Sequence, residues 1–220
     1  MAFTYVNLLI EKKGKIGCLE PEERQLFMKA SKEKFNLFRD GWKNLLDFQQ
    51  NETDGNYIKK DKTDKEIGKL EIKIREFCKE MITKADNLGG NVIDSDINSK
   101  IFYIKIKADY LRYLAEIANE EEFPDILKDA KTNYETAYKM SIENLPPQDS
   151  LYLSVVLNYT VFLYFILDDT RLAFGLADKA YKTAIDNLTY SEEKDPDVDV
   201  LIKRIEENLT IWKIELFDIN

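Results

Sequence analysis

The chain has 220 residues, 44% hydrophobic and 33% charged, enough to bury a substantial core in one large domain or two small ones. A formal net charge of −9 argues against a nucleic-acid partner, which would need a broad basic face, so any anion site must be local. Histidine is absent, which removes the commonest general base, the usual zinc ligand sets and a serine triad.

The N-terminal MAFTYVNLLIEKKGK has no basic region ahead of its short apolar run and does not read as a secretory signal. Cys18 and Cys78 lie far apart without metal-like spacing, which suits a reducing, cytoplasmic setting better than a disulfide scaffold. From Ser31 to Phe48, SKEKFNLFRDGWKNLLDF puts Phe35, Phe38, Trp42, Leu45 and Leu46 on one helical face, with Ser31 as a candidate N-cap. QQNETDGNYIKKDKTDK is polar, with a turn expected at Asp54–Gly55, and helix is expected again from Glu66 until Gly89 and Gly90 end it. DSDIN opens like a calcium loop, but Ser99 stands where glycine is required and Lys105 where the bidentate Glu is required; the segment reads instead as a loop feeding an N-cap.

The next helix, about Ser99 to Asn119, contains KIKADYLRYLAE. Its Lys105, Asp109, Arg112 and Glu116 form one charged stripe. That stripe is either a solvated face laced with weak ion pairs or a frame of carboxylates that holds Arg112 rigid for an anion. Pro124 suits the first turn of the following helix, which Pro146 and Pro147 end. SLYLSVVLNYTVFLYFIL, Ser150 to Leu167, carries no charge, close to the minimum for spanning a bilayer. Its central Asn158, its tyrosines and its acidic flanks favour a buried helix, and no membrane insertion is expected. Thr170 to Leu188 and Val198 to Phe217 complete an all-α chain of antiparallel helices, with SEEKDPD as a break between them. Acidic runs at Glu120–Glu122 and Glu192–Asp195 fall at helix ends or in loops, and no catalytic residue, metal site or cofactor is assigned.

SKIFYIKIKADYLRYLAEIA resembles the central signature of the 14-3-3 family; LNYTVFLYFIL, LADKAYKTAIDNL and ENLTIW are similar to its later signatures, and SKEKFNLFRDGWKNLL to its third helix. The resemblance implies a cup of about nine antiparallel helices whose groove binds phosphoserine or phosphothreonine segments of client proteins, and it divides the chain into an N-terminal segment 1–30, a groove-bearing domain 31–212 and a short apolar tail 213–220. It also implies roles. Lys43, Arg112 and Tyr113 would bind phosphate, and Asp109 and Glu116 would orient Arg112. Lys105, Leu157, Asn158, Val161, Leu201, Asn208 and Trp212 would line the peptide groove. The chemistry is coherent: a phosphate dianion suits a guanidinium fork, an ammonium and a neutral hydroxyl donor.

Departures from the family pattern carry equal information. Seven residues after Lys43, where the family has a second phosphate-binding arginine, stands Gln50. One charge-assisted hydrogen bond contributes roughly 1.5–3 kcal/mol, so its loss weakens binding about ten- to a hundredfold unless another cation substitutes, with Lys59, Lys60 and Lys62 as candidates. Phe165 replaces an acidic groove residue, and Arg204 a leucine. The N-terminus lacks the family's dimer-interface pattern, which leaves a homodimer open, and Pro21 offers an alternative helix start running from Glu22 into the Ser31 segment. Two functions follow: a phosphopeptide adaptor, or a tetratricopeptide-like helical scaffold that binds unmodified peptides or its own tail.

Overall fold

The computed structural model describes residues 2–13, 19–51, 57–188 and 196–217. Cys18, the Asp54–Gly55 step, the Lys59 side chain and Glu192–Asp195 lie outside what is described. Eight helices make up the described residues, with no strand among them: α1 (Ala2–Lys13), α2 (Pro21–Asn51), α3 (Tyr57–Gly89), α4 (Ile97–Ala115), α5 (Phe123–Asn144), α6 (Ser150–Phe165), α7 (Thr170–Leu188) and α8 (Pro196–Phe217). The all-α expectation holds. About nine helices were expected, and eight lie among the described residues.

Helix α2 starts at Pro21 and continues through Ser31, which lies buried in its interior rather than capping its start. Nothing between Glu22 and Lys34 breaks a helix, and Phe27, Ala30, Ser31 and Phe35 form one continuous buried face. Proline at the first turn sacrifices only an amide that would be unpaired there anyway. Helix α3 likewise begins at Tyr57, well before the expected Glu66. Its first turns are stabilised by polar contacts instead of an apolar stripe: Lys65 pairs with Asp61 at 2.7 Å, and Gln49 of α2 donates to Asp64. Asp96 caps α4 by accepting from the Ser99 amide at 3.0 Å, and Asp149 caps α6 through the Leu151 amide at 2.8 Å. Between α6 and α7 the chain turns at Asp168, whose φ of 55° lies in the left-handed region that Asp tolerates better than most residues.

Successive helices pack against one another, and α8 also returns to α6. Helix α4 touches α3, α5 and α6 and stands between two cores. Phe102, Tyr103, Ile106, Tyr110 and Leu114 point into the core shared with α1–α3, and Ala108 and Leu111 into the one shared with α5–α8. A helix buried on both sides can offer polar groups only along the strip between its two contacts. Helix α6 is the uncharged segment. Leu153, Val155, Val156 and Phe162 are fully buried in it, and among the described residues no helix is long and apolar enough to cross a membrane.

Candidate functional site

The strip left between the two cores is Lys105, Asp109, Arg112 and Glu116. Lys105, Asp109 and Arg112 are buried and Glu116 partly so, which rules out the solvated-face reading. Burying four charges is costly unless each is paired and hydrogen-bonded, and the structure supplies the partners.

Lys105 donates to Asp109 Oδ2 at 2.8 Å, and Tyr134, from α5, donates its hydroxyl to Asp109 Oδ1 at 2.6 Å. The Asn158 amide nitrogen, from α6, sits 2.8 and 2.9 Å from the two Asp109 oxygens. Burial pushes the Asp109 carboxyl up, but Lys105, Arg112 and these hydrogen bonds outweigh it and hold it below the usual carboxylate range. Burial pushes the Tyr134 hydroxyl far up, and so does Asp109, keeping it a neutral donor.

Arg112 Nε donates to the Tyr134 oxygen at 3.1 Å, Nη1 lies 3.5 Å from Glu116 Oε1, and the guanidinium carbon stands 4.3 Å from the Tyr113 ring centre. Burial works against its charge, yet Tyr134, Tyr113 and Asp109 overcome that, so the guanidinium stays protonated. Of the two expected orienting carboxylates, Glu116 reaches Arg112 directly and Asp109 acts through Tyr134. The Tyr113 ring stacks on Phe35 of α2 at 4.2 Å; burial raises its hydroxyl's pKa, which Arg112 partly offsets, leaving a neutral donor.

An open cavity of about 440 Å³ borders these groups, lined among others by Lys32, Lys105, Asp109, Tyr113, Asn158 and Asp197. Lys32, on α2, is one contributor that sequence reasoning missed. Its pKa is lowered by burial and by the cations Arg204, Lys105 and Arg112, so positive charge gathers at this mouth in a chain that is acidic overall. Arg39 is the other: its Nε and Nη2 lie 2.8 and 2.9 Å from the two Glu116 oxygens, across from α2 to α4. A signal existed, since Lys32, Arg39 and Lys43 recur at helical spacing.

The remaining candidates are placed as follows. Lys43 is exposed on α2, one turn beyond Arg39, and Gln50 is exposed near the end of the same helix. Lys60 and Lys62 are exposed on the first turns of α3. Asn158, Val161, Leu201 and Asn208 are half-buried on α6 and α8, as a groove wall requires. Leu157 is buried, and Trp212 is buried at 1% exposure, its ring centre 5.3 Å from Tyr164. Both therefore stiffen the wall from behind, while Phe165, Val200, Ile211, Ile214 and Phe217 are exposed apolar residues on these two helices. Beyond Trp212, α8 continues to Phe217, whose ring packs 5.8 Å from Phe174 of α7, and Glu215 accepts from Tyr164 at 2.7 Å and Thr170 at 3.1 Å. Among the described residues no group of three or more His, Cys, Asp or Glu side chains could hold a metal ion.

The chain is 31% identical to 14-3-3 protein beta/alpha-1 of Oncorhynchus mykiss over 201 residues, covering 90% of this chain and 81% of the relative. The 14-3-3 protein family model matches residues 3–213. Proteins of that family are adaptors rather than enzymes; they bind phosphorylated clients and form dimers. With nearly its whole length matched and its fold all-α, the chain belongs to the 14-3-3 family.

Proposed function

We propose that this protein is a phosphoserine/phosphothreonine-dependent adaptor that clamps extended phosphorylated segments of cytoplasmic client proteins. The observation that carries this reading is Arg112, a buried guanidinium locked by Tyr134, Glu116 and the Tyr113 ring, next to the residues Asp109 and Tyr113 that line an open cavity together with Lys32 and Lys105. Preorganised charge of this kind meets a phosphate with little reordering, and a guanidinium fork matches its oxygens. Lys43 and Tyr113 complete the phosphate group. Asn158 and Asn208 would bond the ligand main chain against Val161 and Leu201, with Lys105 holding the Asp109 hub beneath. We also propose a homodimer through the outer face of α1, where Tyr5 and Leu8 are about two-thirds exposed.

Gln50 favours a second reading, a helical scaffold for unmodified peptides. One fluorescence-anisotropy experiment separates the two. A phosphoserine peptide and its unphosphorylated twin are titrated against wild type and Arg112→Ala, with circular dichroism to verify folding. The adaptor reading expects phosphate-dependent binding that Arg112→Ala abolishes. Equal affinity of the wild type for both peptides would establish the scaffold.

A further inference from the structure

We propose that Arg204 of α8, with Lys29 and Lys32 of α2, forms a second anion subsite in the groove, which selects phosphorylated segments carrying a further acidic side chain, a carboxylate or a second phosphate, near the phosphoresidue. The proposal rests on the phosphopeptide reading above. Packing sets the direction of Arg204. Ile202, Ile205, Leu209 and Trp212 are buried and turn one face of α8 into the core. Asp197, Leu201, Arg204 and Asn208 recur at i, i+4, i+7 and i+11, which is an adjoining stripe. Asp197 lines the cavity, and Leu201 and Asn208 are half-buried, so the exposed Arg204 between them stands on the cavity side of the helix.

Lys29 and Lys32 line the same cavity from α2. Burial lowers the pKa of Lys32 first, and among its charged neighbours Arg204 weighs on it most, ahead of Lys105 and Arg112. Arg204 and Lys32 therefore face one another across the groove. These cations differ from the deeper ones. Lys105 is held by Asp109 at 2.8 Å and Arg112 lies 3.5 Å from Glu116, whereas no ion pair holds Lys29, Lys32 or Arg204 among the described residues. A phosphate dianion at Arg112, Lys43 and Tyr113 leaves these three in excess over Asp197. Like charges left together are unfavourable, and one more anion on the ligand relieves them. Arg204 lies about 6 Å along α8 from Asn208, a distance that an extended peptide covers in about two residues, so the acid is expected close to the residue whose main chain Asn208 bonds.

The test uses the full chain and an otherwise neutral phosphoserine peptide in which each nearby position on either side carries in turn Glu, a second phosphoserine or, as control, Gln. Fluorescence anisotropy gives the affinity ratio of each acidic peptide to its Gln control for wild type, Arg204→Leu and Arg204→Glu, with circular dichroism to verify folding. Wild type is expected to favour an acidic side chain at one position by about fivefold, the upper end for an exposed charge pair. A gain from Glu as large as that from phosphoserine assigns the subsite to a carboxylate, and a larger gain from phosphoserine assigns it to a second phosphate. Arg204→Leu should bring the ratio to within about twofold of unity, and Arg204→Glu should prefer Lys at that position, a reversal that a purely structural role cannot produce. A wild-type ratio below about twofold at every position, or a preference that survives in Arg204→Leu, would overturn the proposal with the adaptor reading intact. A wild type that does not distinguish the singly phosphorylated peptide from its unphosphorylated twin would overturn the adaptor reading and this proposal together. If Arg204→Leu fails to fold, Arg204→Gln takes its place and is read the same way.

Discussion

Asp109 is the residue on which the polar strip depends, since Lys105, Tyr134 and Asn158 all converge on it. Replacing it with Asn leaves Lys105 buried without a counter-charge, and breaking a buried pair typically costs about 3–5 kcal/mol. Asp109→Asn is expected to lower stability by that order in urea unfolding at pH 7. The pH dependence follows from the sign of the shift. The folded-state pKa is depressed, so the stabilisation from Asp109 is complete above the ordinary carboxylate value of about 4 and is lost as pH falls through the lower folded value. Wild type should therefore lose stability below about pH 4 more steeply than Asp109→Asn, measured by urea midpoints at several pH values. At this scale the sequence was legible in one dimension. Helical spacing placed Lys105, Asp109, Arg112 and Glu116 on one stripe, but it cannot name a partner on another helix. Tyr134 and Arg39 therefore received no role from the sequence, because periodicity assigns a face and says nothing of what lies opposite.

For whole elements, α2 teaches the most. Ser31 followed by an apolar face has the local chemistry of a helix start, and the buried Phe27 and Ala30 override it. Glu33→Pro separates the two readings. In the first turn of a helix beginning at Ser31 it would be tolerated, whereas in the interior of α2 it should cost about 3 kcal/mol or more, read as a drop in thermal midpoint. The start of α3 escaped sequence reading for the opposite reason. Its first turns have many charges and few apolar residues, so the amphipathic signal begins only near Ile67. The later boundaries were legible because proline, glycine and aspartate mark them chemically: Gly89–Gly90, Asp96, Pro124, Pro146–Pro147 and Asp149 all sit at or beside helix ends.

Across the molecule, α4 joins two cores that share no other helix as fully, so the clamp sits at the junction of an α1–α3 half and an α5–α8 half. The proposed homodimer uses the first half. If the outer face of α1 forms a homodimer, Leu8→Asp should halve the mass measured by light scattering after size exclusion and make the wild-type thermal midpoint, but not the variant's, rise with protein concentration. The same half contains Cys78, wholly buried on α3, its thiol pushed up by burial, with Glu116 adding to the rise. A thiol so enclosed reacts with an alkylating reagent only when the surrounding helices part. In a Cys18→Ser background, Cys78 then becomes an internal clock for the breathing of the α1–α4 half. A ligand that ties α2 to α4 should slow that clock even though it never touches the sulfur.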